Sequence, residues 1–341
     1  MSQPRVAVIG TGGTFAMQGR HAFDWVEYGE SGVVRPVAEL IGAARDWNLA
    51  EIVPIDFRQL GSTGITPADW LELGRVVRDV LNSSDGPDGC VITHGTATLE
   101  ETAFFLHAVY DGTAPIVLTG AQRPPNTSGS DAPANLRAAI AVAASPAARG
   151  LGVLVVIDNL IFSAGDVTKT SSGALDAFEA PEFGPLGRIE ADGRIVLRRA
   201  PLRAIDTMQL GEALDVMGPL PRVDIVCSYA GADDVAIDAF VAAGARGIVR
   251  AGLWPGRPAK AAQGALARAA AAGILVVQAT RGVRGNVVPQ AFLDRAGVLP
   301  GGDLAPVKLR ILMMLALALG ADHSAIGQTL ASWSGIRSSG T

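Results

Sequence analysis

The stretch from Cys90 to Leu106, C-V-I-T-H-G-T-A-T-L-E-E-T-A-F-F-L, constrains the fold more than any other part of the chain. A short apolar run, Cys90-Val91-Ile92, ends in a polar turn holding His94, Gly95 and Thr96, and a helical pattern begins at once. Leu99, Ala103, Leu106 and Tyr110 recur at helical spacing, so one face of that helix is expected on a core. Thr98 and Glu101 have the T-x-x-E spacing of a capping box, which predicts Thr98 as the cap. Thr96 then sits between the carboxyl end of a strand and the positive end of a helix. That edge is where open α/β sheets bind ligands and where helix-terminal N–H groups stabilise anions. A turn threonine with no chemical role fits the same position.

The strand–turn–helix unit repeats along the chain. Val6 to Ile9 reads as a strand, followed by a helix near Val37 to Ala44, a strand near Ile52 to Ile55 and a turn F-R-Q-L-G-S-T-G-I. Thr66-Pro67 opens a helix to about Leu81, with Thr at the cap, Pro at the first helical position and Asp69 in the first turn. Pro115 to Thr119 and Gly152 to Ile157 read as strands around an Ala-rich helix at 131–144. Such alternation predicts a mostly parallel sheet with helices on both faces. Beyond Asn159 the texture turns polar and turn-rich, with an antiparallel edge strand expected at Ile195 to Leu197 after the A-D-G-R turn. Pro201 to Pro221 has three prolines and no sustained period, and reads as a linker. Strands near Ile225 to Tyr229, Gly247 to Ala251 and Ile274 to Ala279 then alternate with helices at about 234–243 and 259–272. Two closing helices, Pro306 to Leu319 and Ser324 to Trp333, follow. The expected organisation is two α/β domains, a larger one at 1–200 and a smaller one at 222–341, joined by a linker at 201–221.

With 341 residues, 49% of them hydrophobic, the chain can bury a large core. Its net charge of -5 and the lack of clustered Lys and Arg argue against nucleic acid. Cys90 and Cys227 lie far apart in apolar runs, which predicts two buried free thiols and a reducing compartment. The N-terminus enters a strand without a basic segment or apolar leader. The apolar segment Leu309 to Leu319 is too short to span a membrane and is broken by Arg310. A cytoplasmic protein without a membrane segment is expected.

Three positions stand out chemically. Thr14 and Thr96 follow strands at glycine-containing turns, and Lys169 lies in the polar D-V-T-K-T loop. Parallel strands would bring such turns to one sheet edge. A hydroxyl becomes a useful nucleophile only when a base takes its proton, and lysine can do so only when its pKa is lowered. The chain has only three lysines, Lys169, Lys260 and Lys308, among many arginines. His94 is the rival base beside Thr96, but no carboxylate stands where it would orient the ring and G-x-S-x-G is absent, so His94 is read as structural. The turn G-T-G-G-T at 10–14 lacks G-x-G-x-x-G spacing, which argues against a dinucleotide cofactor. It leads into a long polar loop at 17–35, the length of a lid. No His or Cys pair has metal spacing, so no metal or other cofactor is expected.

Four ordered motifs, I-G-T-G-G-T-F-A, I-T-H-G-T-A-T-L-E-E-T-A-F-F-L, T-G-A-Q-R-P-P-N-T-S-G-S-D-A-P-A-N-L and D-V-T-K-T, resemble the bacterial-type L-asparaginases, and the similarity extends through the C-terminal P-V-K-L-R helix. The resemblance implies a homotetramer built from tight dimers and a small-molecule amide substrate. It implies that Thr14 attacks the side-chain amide to give an acyl-enzyme that water releases, assisted by a loop tyrosine that matches Tyr28. Thr96 and Lys169 match the second threonine and its lysine, and Ser62 matches a serine that grips substrate. Backbone groups around Thr96 and Ala121 would serve the oxyanion and the leaving ammonia.

The departures fall on the part that reads the amino acid. Ala97 stands where the family's H-G-T-D-T has the aspartate for the substrate's α-amino group, and Thr63 replaces the glutamine after the gripping serine. Gly231 replaces the asparagine expected from a neighbouring subunit, and R-G-V-R-G-N-V lacks its acidic residue, Asn286 being the nearest polar one. The expectation is a threonine amidohydrolase acting on a small carboxamide other than free L-asparagine. Two further readings are an ordinary L-asparaginase, with Glu27, Glu30 or a shifted acid in place of the missing carboxylate, and a non-catalytic ligand-binding protein of the same fold.

Overall fold

The computed structural model describes residues 3–201, 214, 215 and 217–333. Most of the expected linker, 202–213 and 216, lies outside them. The chain divides into two compact units, Met1–Leu202 and Arg203–Thr341.

The first unit is built on an eight-stranded sheet. Its strands are β1 (Arg5–Gly12), β2 (Glu51–Leu60), β3 (Gly89–Thr93), β4 (Ile116–Thr119), β5 (Val153–Ile157), β6 (Leu160–Ser163), β9 (Gly187–Ile189) and β10 (Ile195–Leu197). Their order is β10-β9-β6-β5-β4-β3-β1-β2. The run from β2 to β5 is parallel, with Val8 opposite Val91, Val91 opposite Val117 and Val117 opposite Leu154. β6, β9 and β10 are antiparallel. A two-residue turn, Asp158-Asn159, reverses the chain between β5 and β6 with both residues at positive φ, 48° and 58°, as a tight hairpin requires. A separate hairpin pairs β7 (Thr168–Lys169) with β8 (Phe178–Glu179).

The sheet is covered on both faces because its central strands are apolar at every position, not at alternate ones. Val6, Val8, Val91, Val117, Leu154 and Val156 pack with Val37 of α1 (Val37–Leu40), Ile41 and the helix α4 (Ala132–Ala143) through Leu136, Ala139, Ile140 and Ala143. The intervening residues Ile9, Cys90, Ile92, Ile116 and Leu118 point to the opposite face and are also fully buried. That side is covered by α2 (Pro67–Leu81) and α3 (Leu99–Val109), where Trp70 stacks on Phe105 at 5.8 Å between centroids.

The Thr66 start is as the sequence predicts. Its side chain accepts from the Asp69 amide, and Asp69 accepts from the Thr66 backbone N–H at 2.8 Å. Three readings need correction. The segment Phe57–Leu60, read as part of a turn, continues β2. Thr98 precedes α3 but makes no side-chain cap; its hydroxyl donates instead to the Ser62 carbonyl at 2.9 Å. Thr98 is thus committed to a neighbouring loop, a long-range bond that no local spacing announces. Cys227, read as buried, is exposed at the end of its strand, whereas Cys90 is buried; both thiols are free.

The second unit has a four-stranded parallel sheet, β11 (Val223–Cys227), β12 (Gly247–Gly252), β13 (Leu275–Thr280) and β14 (Leu299–Pro300), in that order. Its helices are α5 (Val235–Ala242), α6 (Gln263–Ala271), α7 (Ala291–Ala296), α8 (Pro306–Ala318) and α9 (His323–Trp333). Ile248, Val276, Ile237, Leu266, Ala269 and Leu293 form its core. Among the described residues no helix is long and apolar enough to cross a membrane.

Candidate active site

The turns after β1, β2, β3 and β4 gather at the carboxyl edge of the first sheet, and glycine lets them meet. Gly13 has φ 73°, and a Cβ on it would stand 2.4 Å from the Cα of Gly95. A Cβ on Gly95 would stand 2.5 Å from the Cα of Ser62, and one on Gly120 would stand 2.9 Å from Cγ2 of Thr96. Only glycine permits these backbone approaches. The Thr14, Ser62, Thr96 and Ala121 segments are therefore packed into one cluster.

Thr14 is 3% exposed, and its Oγ1 lies 2.6 Å from the Tyr28 hydroxyl. Tyr28 opens a 3-10 turn, Tyr28–Ser31, within the otherwise irregular segment expected as a lid. The loop's base is closed by a bridge between Met17 and Val34 and by the Arg35 N–H donating to Ala16 O at 2.8 Å. Gly19 and Asn126 exchange two hydrogen bonds, 2.8 and 2.7 Å, and the Arg123 guanidinium lies 3.9 Å from the centre of the Trp25 ring. Arg20 joins the loop internally to Asp24 and Glu27. It holds the buried Asp24 carboxyl below its ordinary pKa.

Lys169 Nζ lies 2.8 Å from Thr96 Oγ1 and 3.4 Å from Gln122 Oε1. The lysine reaches Thr96 from the β7–β8 hairpin and not from the end of a parallel strand, so the simple picture of turns at parallel-strand ends holds for the two threonines only. Burial lowers the Lys169 pKa, opposed by the charge of Glu100 in the first turn of α3. The lowered value favours a neutral amine able to accept a proton. Ala121 is fully buried. Its segment is fixed by Asp131, which accepts from the Gln122 and Arg123 amides, and by Asn135, which donates to Gly120 O at 3.0 Å.

Ser62 is fastened to the Thr96 turn from both ends. Its hydroxyl accepts from the Ala97 N–H at 2.9 Å and its carbonyl accepts from Thr98. With that lone pair engaged, the Ser62 hydroxyl keeps its proton for an oxygen acceptor. Thr63 and Ala97 are exposed at the mouth of the cluster and bring no charge to it.

His94 is 2% exposed and its ring is bonded on both sides, Nδ1 to Gly95 O and Nε2 to Thr102 Oγ1, each at 2.9 Å. Thr102 in turn accepts from Trp70 Nε1 at 2.9 Å. A carbonyl only accepts, so Nδ1 carries the proton, Nε2 accepts, and the Thr102 hydroxyl donates to it. Burial pushes the His94 pKa down to about 4, which keeps the ring neutral. Both ring nitrogens are consumed in holding the turn.

Sequence reasoning assigned no part to Gln122, Asp131, Asn135, Thr102 or Trp70. Gln122 stood inside the T-G-A-Q motif directly after a strand, a signal of position without chemistry. The other four act through bonds to distant residues and carry no local signature. Among the described residues no three His, Cys, Asp or Glu side chains gather as a metal site.

Comparison with known proteins agrees over most of the chain. Residues 5–203 match the model of the asparaginase N-terminal domain, and residues 222–330 match that of the glutaminase/asparaginase C-terminal domain. The chain is 36% identical to L-asparaginase 2 of Bacillus subtilis (strain 168), over 95% of this chain and 85% of that protein. It is 34% identical to the glutaminase-asparaginase of Pseudomonas fluorescens biotype A, covering 93% and 87%. A crystal structure of a probable cytoplasmic L-asparaginase from Campylobacter jejuni superimposes with a TM-score of 0.88 at 33% identity, covering 96% of this chain and 99% of that one. Fold, ordered motifs and full-length similarity together place the chain in the bacterial-type L-asparaginase family, as an asparaginase-like amidohydrolase acting on C–N bonds other than peptide bonds.

Proposed function

We propose that the chain hydrolyses a small carboxamide other than free L-asparagine through a threonine acyl-enzyme. Thr14 Oγ1 attacks the carbonyl carbon, its proton passing to Tyr28 Oη while the tyrosine proton goes to the departing nitrogen. The C–N bond breaks, ammonia leaves and an ester to Thr14 remains. Water then attacks the ester, losing a proton toward Thr96 and Lys169; Thr14 Oγ1 leaves with the Tyr28 Oη proton, the acid departs, and the proton held at Lys169 returns to the tyrosine through solvent. Donors around Thr96 and Ala121 meet the oxyanion and the leaving group. The observation that carries the reading is the 2.8 Å contact between Lys169 Nζ and Thr96 Oγ1 beside the Thr14–Tyr28 pair. A hydroxyl next to a part-buried lysine of lowered pKa is an activated group. The same intact groups weigh against a non-catalytic binding protein.

The substrate half of the proposal rests on Ala97. A free α-ammonium group in a partly buried site needs a carboxylate, because an unpaired buried charge is costly. Ala97 and Thr63 supply none. The substrate therefore lacks the ammonium or carries it masked. An ordinary L-asparaginase is the second reading, favoured by the relatives' names; Glu27, one of the acids available to that reading, is already paired with Arg20 at 2.6 Å. The resemblance further supports a homotetramer, a dimer of dimers.

Ammonia release from succinamate, N-acetyl-L-asparagine and L-asparagine tests both halves. L-asparagine should have the lowest kcat/KM, and Ala97→Asp should shift preference back toward it. Thr14→Ala should lose several orders of magnitude of turnover with folding intact. Efficient L-asparagine hydrolysis by the unmodified chain refutes the substrate half, and near-native turnover by Thr14→Ala refutes the nucleophile.

A further inference from the structure

Gln122 is 9% exposed, its backbone is locked by Asp131, and its Oε1 faces Lys169 Nζ. Its other amide end, Nε2, is buried and has no hydrogen-bond partner among the described residues. Lys169 Nζ donates to Oε1 at 3.4 Å, which leaves Nε2 as the end without a partner. The donor end is one carbon away and lies in the same cluster as Lys169 and Thr96. A buried donor without an acceptor is costly, and native structures keep few of them. Glu100 Oε2 is another buried acceptor without a partner, yet it does not accept from Nε2. A leucine or methionine would fill the space without that cost, so the amide is explained by something that accepts from it.

We propose that Gln122 is a specificity-determining residue whose Nε2 donates to an oxygen on the α-substituent of the substrate, while its Oε1 holds Lys169 with the amine's lone pair toward Thr96. This rests on the amidohydrolase reading and narrows its substrate class. Where Ala97 leaves no acceptor for an ammonium group, Gln122 supplies a donor for an oxygen. The substituent that fits both changes is an acylated amino group, whose nitrogen is uncharged and whose carbonyl accepts a hydrogen bond. An N-acylated amino-acid amide is thus the substrate class assigned to this site.

The test compares kcat/KM on N-acetyl-L-asparagine with that on succinamate, which shares the amide and the carboxylate but has no α-substituent. Two variants are measured beside the native chain. Gln122→Glu keeps an oxygen toward Lys169 and removes the donor, and Gln122→Leu removes both ends. The native ratio should favour the acetylated substrate, and in both variants it should fall by about tenfold to a hundredfold. A ratio of rates is insensitive to the fraction of folded enzyme, so poor folding does not mask the result. In Gln122→Glu the added carboxylate joins Glu100 in raising the Lys169 pKa, so the acidic limb of its pH–rate profile, where the base loses its proton, should lie at higher pH than that of Gln122→Leu. A ratio unchanged in both variants overturns the proposal while leaving the amidohydrolase reading intact, as would happen if Nε2 bound the carboxylate common to both substrates. Hydrolysis of neither substrate by the native chain overturns both.

Discussion

His94 makes the folded state acid-sensitive by a calculable amount. The ring is buried and neutral with a pKa of about 4, against about 6.5 in an unfolded chain. The unfolded chain therefore binds more protons between those values, so stability rises with pH through that window. It is full above about pH 6.5 and falls as pH drops toward 4. The gap of roughly 2.5 units corresponds to about 3 kcal/mol lost on going from pH 7 to pH 4, and near pH 5.2 unfolding takes up about 0.9 of a proton at this site. His94→Gln keeps an acceptor for the Thr102 hydroxyl but gives up the bond to Gly95 O, a cost of about 1 kcal/mol at neutral pH. It also removes the titration. The two stability curves should cross between about pH 5 and pH 6, with the variant the more stable at pH 4.5. Calorimetric melts of both proteins at closely spaced pH values measure this directly. Parallel curves, or a His94 ring signal titrating near pH 6.5 in the native protein, would refute the neutral buried ring.

Two further perturbations address the site itself. Lys169→Arg retains the charge but cannot yield a proton acceptor, so kcat should fall by about a hundredfold or more with KM little changed; near-native kcat in a pH series would show that positive charge alone suffices. Gly95→Ala forces a Cβ to within 2.5 Å of the Ser62 Cα and 2.6 Å of its Oγ, which should cost roughly 1–3 kcal/mol in a thermal melt and lower kcat/KM by displacing Ser62. Unaltered melting and kinetics would show that the two turns are free to part.

The periodic parts of the fold were legible because they follow from local chemistry. Thr66-Pro67 and Asp69 place a helix start within one turn of chain, and α2 begins at Pro67 and ends at Leu81 as read. The apolar runs at Val6 and Cys90 locate two central strands. What escaped depends on partners distant in sequence. Thr98 has the spacing of a cap, but its hydroxyl is turned to donate to the Ser62 carbonyl, 36 residues away in sequence, and accepts from no helix N–H. β6 lies at the start of the stretch that reads as polar and turn-rich and follows β5 after two residues, because Asp158-Asn159 is a hairpin turn without glycine. At the site, the motif positions of Thr14, Thr96 and Lys169 could be named, whereas Gln122 could not. Its significance is an unanswered amide hydrogen, visible only once the side chains around it are placed.

The strand order carries a consequence for how the protein is made. β1 emerges first, β2 takes one of its edges and β3 the other; β4, β5, β6, β9 and β10 then each join the edge left open by the strand before. No later strand inserts between two already paired. The growing polypeptide can thus lay down its sheet in the order of synthesis without undoing earlier pairs, and the second unit repeats the habit from β11 to β14. The liability lies in the interim. Until β6 turns the chain back, every nascent intermediate ends in a Val- and Ile-rich parallel strand with one side unpaired, the kind of edge that recruits other chains. The short antiparallel strands that close the sheet are then its terminators, ending growth where a further parallel strand would leave another sticky margin.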